Sequence, residues 1–244
     1  KKPEAPAPTS HAPKDDKGAP SGDGTKPADG TKPDEGAKPD EGAPAESPED
    51  AAYQTALKEW ASVIWALEQG NQVVLIRKGG LIEPGSGFDW ASRDFLFYPT
   101  FEHQTVNFVR EPYRSYLEQA QARKPSGGRL RFDLYGQMIW SVKTTEPDAV
   151  ERLSAFHIYH EAFVQQRLRW QPDQPLVIAA VRAFRLPQPI ERPLLDRYAG
   201  CKSWVELEQP VSVQAAVPVL DDQAFADQLQ RIQSHLQALS SASD

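Results

Sequence analysis

The first 50 residues contain no valine, isoleucine, leucine, methionine, phenylalanine, tryptophan, tyrosine or cysteine. They hold 10 of the 22 prolines, and their 12 acidic residues outnumber their 7 lysines. Within this stretch a glycine recurs every six residues, in a frame that carries Lys-Pro, at Gly24, Gly30, Gly36 and Gly42. A segment of this composition cannot bury enough apolar surface to offset the entropy of ordering its backbone. We therefore predict that residues 1–50 form a disordered tail of hexapeptide repeats, an extended spacer without a packed core.

Other classes of protein are excluded by what the rest of the chain lacks. The single cysteine, Cys201, cannot form an intramolecular disulfide and is compatible with a reducing compartment, so we expect a cytoplasmic protein. No run of about 18 apolar residues exists that could span a membrane, and no signal-peptide core is visible. Residues 51–244 carry 20 basic and 22 acidic residues, which is not the strongly basic balance of a dedicated nucleic-acid binder. A local basic face remains compatible with these numbers.

Residues 51–244 hold every aromatic residue and have a normal size for one domain. Helical spacing and capping residues predict helices at residues 51–69, 113–123, 146–153 and 157–170, and a last one that starts at Asp221 or Asp222. Apolar runs predict strands at residues 73–76, 95–98, 176–186 and 203–213, and two more within 129–143 that turn at Tyr135–Gln137. Because strands and helices do not alternate regularly, we predict a single globular α+β domain. It would have a single mixed sheet or a partly closed barrel with flanking helices.

The end of the first predicted strand is the strongest candidate for a ligand-binding site. Two cations are followed there by two glycines, in the order Arg77, Lys78, Gly79 and Gly80. Glycine amides and a nearby cation can together hold a phosphate or a carboxylate, although the Walker-type phosphate loop is absent. Two alternatives remain open, namely an ordinary turn and a structural salt bridge from Glu83 to one of the cations.

A second dense polar stretch contains the candidate acid–base residue His103, together with Tyr98, Thr100 and Gln104. Imidazole titrates near neutral pH and suits general acid–base catalysis when a partner orients it, and Glu83 is a candidate partner. The alternative is a histidine that is hydrogen-bonded to the backbone.

A third compact block contains Lys202, Ser203 and Trp204. The first two side chains could help to bind an anion, and the indole could stack on a base or a sugar or fill the core. Cys201 beside Lys202 could have a depressed pKa, but a buried cysteine acting as a small hydrophobe is the favoured interpretation.

Two metal-dependent interpretations are disfavoured. His157, His160 and Glu161 would share one face of a helix, but their spacing is not that of a known zinc motif. A restriction-type nuclease needs an acidic residue two positions before a lysine, and Ser141 stands there before Lys143. We predict no metal site, and the sequence identifies no cofactor.

The order of these blocks resembles a bacterial family, domain-of-unknown-function family 1802. The resemblance spans residues 56–236 and rests on the following matching segments: Glu59-Trp60, Ala66-Leu67-Glu68, Leu75 to Glu83, Phe95 to Gln104, Arg167 to Pro172, Pro175-Leu176 and Gly200 to Val205. Some members look to be joined to a restriction-endonuclease-like domain, so the resemblance implies a link to restriction–modification or nucleic-acid handling. It implies no catalytic residues. The acidic tail of this chain, in place of such a domain, argues against a direct role in restriction.

Two functions are consistent with these patterns. The favoured one is a non-enzymatic module that binds nucleic acid, a nucleotide or another anionic ligand through Arg77, Lys78 and Lys202, with Tyr98 or Trp204 stacking. The alternative is a hydrolase or transferase that uses His103 as acid–base with Glu83, while Arg77 or Lys78 stabilises developing negative charge. Either function requires that the three polar blocks meet in the folded chain.

Overall fold

The computed structural model describes residues 51–78 and 90–240. The predicted tail, the predicted ligand-binding residues Gly79 and Gly80 and the predicted catalytic partner Glu83 lie outside this part of the chain. The described residues form seven strands: β1 (Ala52–Trp60), β2 (Val74–Arg77), β3 (Asp94–Thr100), β4 (Arg129–Thr144), β5 (Leu176–Pro193), β6 (Trp204–Ser212) and β7 (Val217–Pro218).

The described residues also form five α-helices and four short 3-10 helices. The α-helices are α1 (Ala61–Glu68), α2 (Ser115–Ala122), α3 (Pro147–Arg152), α4 (Glu161–Arg169) and α5 (Asp222–Ser240). The 3-10 helices lie at Val106–Phe108, Glu111–Tyr113, Ser154–Phe156 and Asp196–Tyr198. None of the described helices is long and apolar enough to cross a membrane.

The strands form one mixed sheet in the order β2-β5-β4-β3-β1-β6, and β7 pairs with β5 beside this path. Strands β1 and β3 run parallel, and the other recorded pairs are antiparallel. The described strands do not close into a barrel, because β2 and β6 stand at opposite ends of the order. This confirms the predicted α+β fold in its form with a single mixed sheet and flanking helices.

The two faces of the sheet support two separate apolar clusters. Alternate residues of a strand point to opposite faces. On β1 and β3 the larger cluster therefore receives Leu57, Phe95 and Phe97, while the smaller one receives Ala56, Leu96 and Tyr98. Helices α1, α3, α4 and α5 contribute buried side chains to the larger cluster. Polar side chains at neighbouring positions of β1 are consequently separated by the sheet.

The predicted helix at residues 51–69 is wrong over its first half, where β1 stands. The apolar residues here fit a helical period, but Ala56 and Leu57 pair with β3 on one side and β6 on the other. Tertiary pairing overrides local propensity in such a case. The helix begins only at Ala61, and Gly70 follows its last turn with a φ of 70°, a conformation that favours glycine.

The predicted turn at Tyr135–Gln137 is also wrong, because β4 continues through it as a single strand paired with β5. Gly136 serves a close approach instead of a turn. A Cβ atom at this position would lie 2.6 Å from the Phe97 ring and 3.0 Å from the Phe95 ring. The glycine therefore lets two aromatic side chains pack directly on the strand backbone.

The predicted helix at residues 157–170 begins later than expected, at Glu161. His160 is its N-cap, where Nδ1 accepts a hydrogen bond from the backbone N–H of Ala162 at 3.1 Å. His157 is buried in extended backbone. The two histidines and Glu161 therefore do not share a helix face. The remaining predicted strands and helices correspond to β2, β3, β5, β6, α2, α3 and α5.

Candidate functional site

The three polar blocks predicted from the sequence all contact the carboxyl end of β1. Arg77 Nη1 donates hydrogen bonds to Lys58 O at 3.0 Å and to Glu59 Oε2 at 2.9 Å. Thr100 Oγ1 donates to Glu59 O at 3.0 Å. The backbone N–H of Lys58 donates to Ser203 O at 2.8 Å. Segments far apart in sequence are thus brought together around two residues of β1.

The contact between Arg77 and Glu59 bridges the sheet. Strands β5, β4 and β3 lie between β2 and β1 in the sheet order, yet the two side chains form an ion pair. The sheet must therefore curve enough to bring these strands together. The side chains are 14% and 5% exposed respectively, so the pair is largely removed from water. A buried charge needs such a partner, because its desolvation is otherwise costly.

Lys78 lies next to this pair and is only 7% exposed. Its ammonium donates one hydrogen bond, to Leu168 O at 3.2 Å near the end of α4. Burial lowers the pKa of Lys78, and the positive charge of Arg167 lowers it further. The carboxyl end of a helix attracts cations, so α4 offsets part of this cost.

Arg167, from α4, brings a third cation to the same place. Its guanidinium lies 5.2 Å from the centre of the Phe163 ring, within the range of a cation–π contact. Burial lowers the pKa of Arg167 and so does Arg77, while Glu59 and Tyr159 raise it. Arg167 is therefore close enough to both Arg77 and Lys78 for their charges to repel.

Tyr159 completes the group from the interior, where it is 2% exposed. Burial and the carboxylate of Glu59 raise its pKa well above 10, although Arg77, Gln72 and Ile76 lower it in part. The phenol therefore stays protonated and neutral at physiological pH. Its oxygen makes no hydrogen bond of normal geometry within the described residues.

We call this group the strand-end cluster: Glu59, Arg77, Lys78, Tyr159 and Arg167. Across residues 51–78 and 90–240, its only recorded ion pair joins Arg77 to Glu59, and neither Lys78 nor Arg167 has a carboxylate partner. Lys78 and the half-buried Arg167 thus form no ion pair with a described carboxylate, although the charge of Glu59 raises the pKa of Arg167. Such an arrangement suits the binding of an anion.

Tyr98 lies on the opposite face of the sheet, within the smaller apolar cluster. Its pKa is raised to about 12, first by burial and then by Tyr198 and Glu102. Lys58 approaches the same ring at 5.4 Å and donates to Tyr198 O at 2.5 Å and to Gly200 O at 3.0 Å. The structure therefore separates Tyr98 from the strand-end cluster.

Thr100 and Gln104 both bind the junction of β1 and α1. Gln104 Oε1 accepts hydrogen bonds from the N–H of Ser62 at 3.2 Å and from its hydroxyl at 3.0 Å. It thereby satisfies one of the free N–H groups in the first turn of α1. Thr100 holds the backbone carbonyl of Glu59. Thr100 thus contacts the backbone of one cluster member, Glu59, whereas Gln104 contacts the first turn of the adjacent α1.

His103 stands between them on an exposed turn, with a φ of 62° that few non-glycine residues adopt. Its imidazole makes no hydrogen bond or ion pair in the described part of the chain. Its expected partner Glu83 lies outside that part. The described geometry therefore supplies no orienting group for acid–base catalysis at His103.

The third block is divided between the two faces of the sheet. Lys202 Nζ donates to Arg197 O at 2.5 Å, and its charge helps to lower the pKa of Lys58, after burial as the larger cause. It therefore lies near Lys58 and the smaller apolar cluster. Trp204 packs on the other face against Trp90 and Phe95, with ring centres 5.7 and 5.5 Å apart. Ser203 is buried and meets β1 through its backbone carbonyl.

Sequence reasoning missed Glu59, Tyr159 and Arg167 as site residues. Glu59 and Arg167 lie in segments that matched the family, but an isolated charged residue on a predicted helix indicates only a solvated face. No sequence signal identifies Arg167, because α4 approaches β2 only through a tertiary contact, in which Lys78 binds the carbonyl of Leu168, 90 residues away in sequence. No group of three metal-ligating side chains is gathered within the described residues.

A second set of charged side chains lines a cleft between α1, α2 and the sheet. We define the arginine network as Glu68, Arg123, Arg131 and Asp133, which line this cleft, together with Arg185, which contacts Glu68 beside it. Arg123 contacts both carboxylates, Glu68 at 2.5 Å and Asp133 at 3.9 Å. Arg131 binds Asp133 at 2.7 Å, and Arg185 approaches Glu68 at 3.5 Å. Every arginine of the network therefore has a carboxylate partner.

The chain is similar in overall structure to ASCH from Zymomonas mobilis, with 12% sequence identity and a TM-score of 0.36. The match covers 74% of this chain and 93% of that chain. A single-residue mutant of the same protein matches at 11% identity and a TM-score of 0.36, covering 64% of this chain and 88% of that chain. This similarity is too low to transfer a function. No curated protein matches the chain.

The family model described as "Domain of unknown function (DUF1802)" matches residues 56–231. This range covers more than two thirds of the chain and contains every member of the strand-end cluster. It also confirms the resemblance seen in the sequence. The chain belongs to the DUF1802 family.

Proposed function

We propose that this domain is a non-enzymatic binding module for an anionic ligand that carries phosphate, either a nucleotide or a nucleic acid. The site is the strand-end cluster. The observation that carries the proposal is the burial of Lys78, which is 7% exposed and whose ammonium has, within the described part of the chain, a backbone carbonyl as its only recorded hydrogen-bond partner. A buried ammonium usually faces an anion, since desolvation otherwise favours its neutral form.

Arg167 supports the same proposal from a second element. It lies close enough to Lys78 to lower its pKa, and its own pKa is lowered by burial and by Arg77. Repulsion between these cations is unfavourable as long as no anion lies between them. An anion bound between Lys78 and Arg167 would relieve it, and the fork of Arg167 can bind two oxygens at once.

Lys202, Ser203, Tyr98 and Trp204 are not part of this proposed site. Their contacts with the backbone and with the apolar clusters account for their positions in the described structure. No observation favours the catalytic hypothesis for His103. The link to restriction–modification stays a prediction from the family resemblance.

The test is equilibrium binding of fluorescently labelled single- and double-stranded DNA and RNA by the full chain, at low and moderate salt. We expect affinity for at least one of them, decreasing as salt rises because phosphate contacts displace counterions. Arg167→Gln should weaken this binding by about tenfold, in keeping with the loss of a charged hydrogen bond. The matched control is Arg169→Gln, which removes an exposed arginine from the same helix.

Failure to bind any of these nucleic acids, and also any mononucleotide, would refute the proposal. Equal weakening by Arg167→Gln and by Arg169→Gln would refute the assignment of the site, because it would indicate a diffuse electrostatic attraction.

A further inference from the structure

The charge balance of the strand-end cluster narrows the class of ligand. Arg77 and Glu59 already neutralise each other in an ion pair. Tyr159 adds no charge, since its raised pKa keeps it protonated. Lys78 and Arg167 then leave two positive charges that the described carboxylates do not compensate. A phosphate monoester carries roughly −1.5 to −2 charges at neutral pH. An internal phosphodiester carries a single negative charge.

The burial of Lys78 adds a geometric restriction. Its ammonium donates to the backbone carbonyl of Leu168, and the residue is only 7% exposed, so a bulky group has little access to it. A phosphate in the middle of a strand is flanked by sugars on both sides and stays at the surface. A phosphate at the end of a molecule has three free oxygens and can reach a largely buried ammonium.

Unused hydrogen-bonding capacity agrees with this restriction. An ammonium group has three donors, and that of Lys78 uses one on Leu168 O. The guanidinium of Arg167 lies 5.2 Å from the centre of the Phe163 ring and makes no recorded hydrogen bond within the described residues, so its donors can serve a planar two-oxygen contact. Both cations can therefore bind the same phosphate through several oxygens.

We propose that the strand-end cluster binds a terminal phosphate monoester, on a nucleotide or at the end of a nucleic acid strand, in preference to an internal phosphodiester. This inference rests on the proposed function. The recognised group is the terminal phosphate, and the base sequence is not recognised.

The experiment compares two oligonucleotides of one sequence that carry a fluorophore at the 3′ end, one with a 5′-phosphate and one with a 5′-hydroxyl. We expect the phosphorylated strand to bind about tenfold more tightly or better. AMP should compete with it, and adenosine should not. Competition by AMP at the strand's own affinity identifies the nucleotide as a sufficient ligand, while much weaker competition identifies the strand end.

The preference for a 5′-phosphate should fall to about one in Arg167→Gln and persist in Arg169→Gln. Lys78→Met should abolish it as well, and Arg167→Gln carries the test if that variant does not fold. Equal binding of the two wild-type strands would overturn this inference and leave the proposed function intact. Absence of binding by both strands and by AMP would instead overturn the proposed function.

Discussion

The strand-end cluster and the arginine network are built from the same kinds of side chain but balance their charges differently. In the network, Arg123 is shared between Glu68 and Asp133, and Arg131 and Arg185 each have a carboxylate as well. In the strand-end cluster, only Arg77 has a recorded carboxylate partner among the described residues. Paired charges fix elements to one another, whereas uncompensated buried charges cost stability unless a ligand supplies the missing partner.

The pairing of charges therefore distinguishes a structural cluster from a ligand-binding cluster, whether or not the cluster lines a cleft. The described cleft at Glu68, Arg123 and Asp133 is lined by members of the network, in which each arginine has a carboxylate partner. Arg123 also stacks on Trp65, with its guanidinium 3.9 Å from the ring centre. We therefore interpret the network as a brace between α1, α2 and the sheet.

The largest expected effect is a loss of stability in acid, when protonation places a positive charge on His157 near the strand-end cluster. His157 packs 5.4 Å from Tyr159, and its pKa is lowered to about 4, mainly by burial. The unfolded chain binds this proton near 6.5, so stability is complete above that pH and falls as the pH drops toward 4. The loss amounts to about 3 kcal/mol and would be measured by urea unfolding across this range.

His157→Gln keeps a donor for the carbonyl of Val150 and should remove most of this acid dependence. The control His103→Gln replaces an exposed histidine and should retain the parental loss of stability. If His157→Gln lost stability with acid as steeply as the parent, other groups would account for it.

The second effect should appear when the network is broken. Arg123→Met leaves the largely buried Glu68 with Arg185 as its remaining partner and removes the guanidinium from Trp65. We expect a loss of about 2 kcal/mol in the free energy of unfolding, with ligand affinity unchanged. Urea unfolding and binding titrations on the same samples check both parts. If Arg123→Met kept its stability but lost binding, the ligand would bind at the network. The arginine network, not the strand-end cluster, would then be the binding site.

The smallest effect on stability, and the sharpest contrast, is expected for Lys78→Met. Methionine fills a similar volume without a charge to desolvate, so the free energy of unfolding should stay unchanged or rise by up to about 1 kcal/mol. Ligand binding should be lost. A clear loss of stability on urea unfolding would mean that Lys78 serves mainly as a cap for α4 through Leu168.

The sequence predicted those parts of the fold in which local pattern and tertiary context agree. Continuous apolar runs identified β2 and β5, and Asp221 caps α5 by accepting a hydrogen bond from the N–H of Ala224 at 2.7 Å. The prediction failed at β1, where helical spacing is overridden by pairing with two neighbours. It failed again at Gly136, since a glycine under aromatic rings and a glycine in a turn look identical in sequence.

Only the part of the candidate site that lies at the end of β2 was predictable from the sequence. Arg77 and Lys78 are adjacent cations at a strand end, a pattern that local reasoning detects. Arg167 joins them through the return of α4 to β2, and Glu59 through curvature of the sheet, and neither contact leaves a trace in residue spacing. Tyr98, also predicted as a ligand-binding residue, lies away from the strand-end cluster, because alternate residues of β3 face opposite clusters.

The most direct test of the uncompensated cluster is the rise in melting temperature that inorganic phosphate produces in the full chain and in Lys78→Met. A ligand bound only by the folded state stabilises it by about 2.7 kcal/mol at a hundredfold excess over the dissociation constant. We predict a concentration-dependent rise in the parent and in Arg169→Gln, and little or none in Lys78→Met. An equal rise in all three proteins would contradict the claim that Lys78 and Arg167 form an anion-binding site.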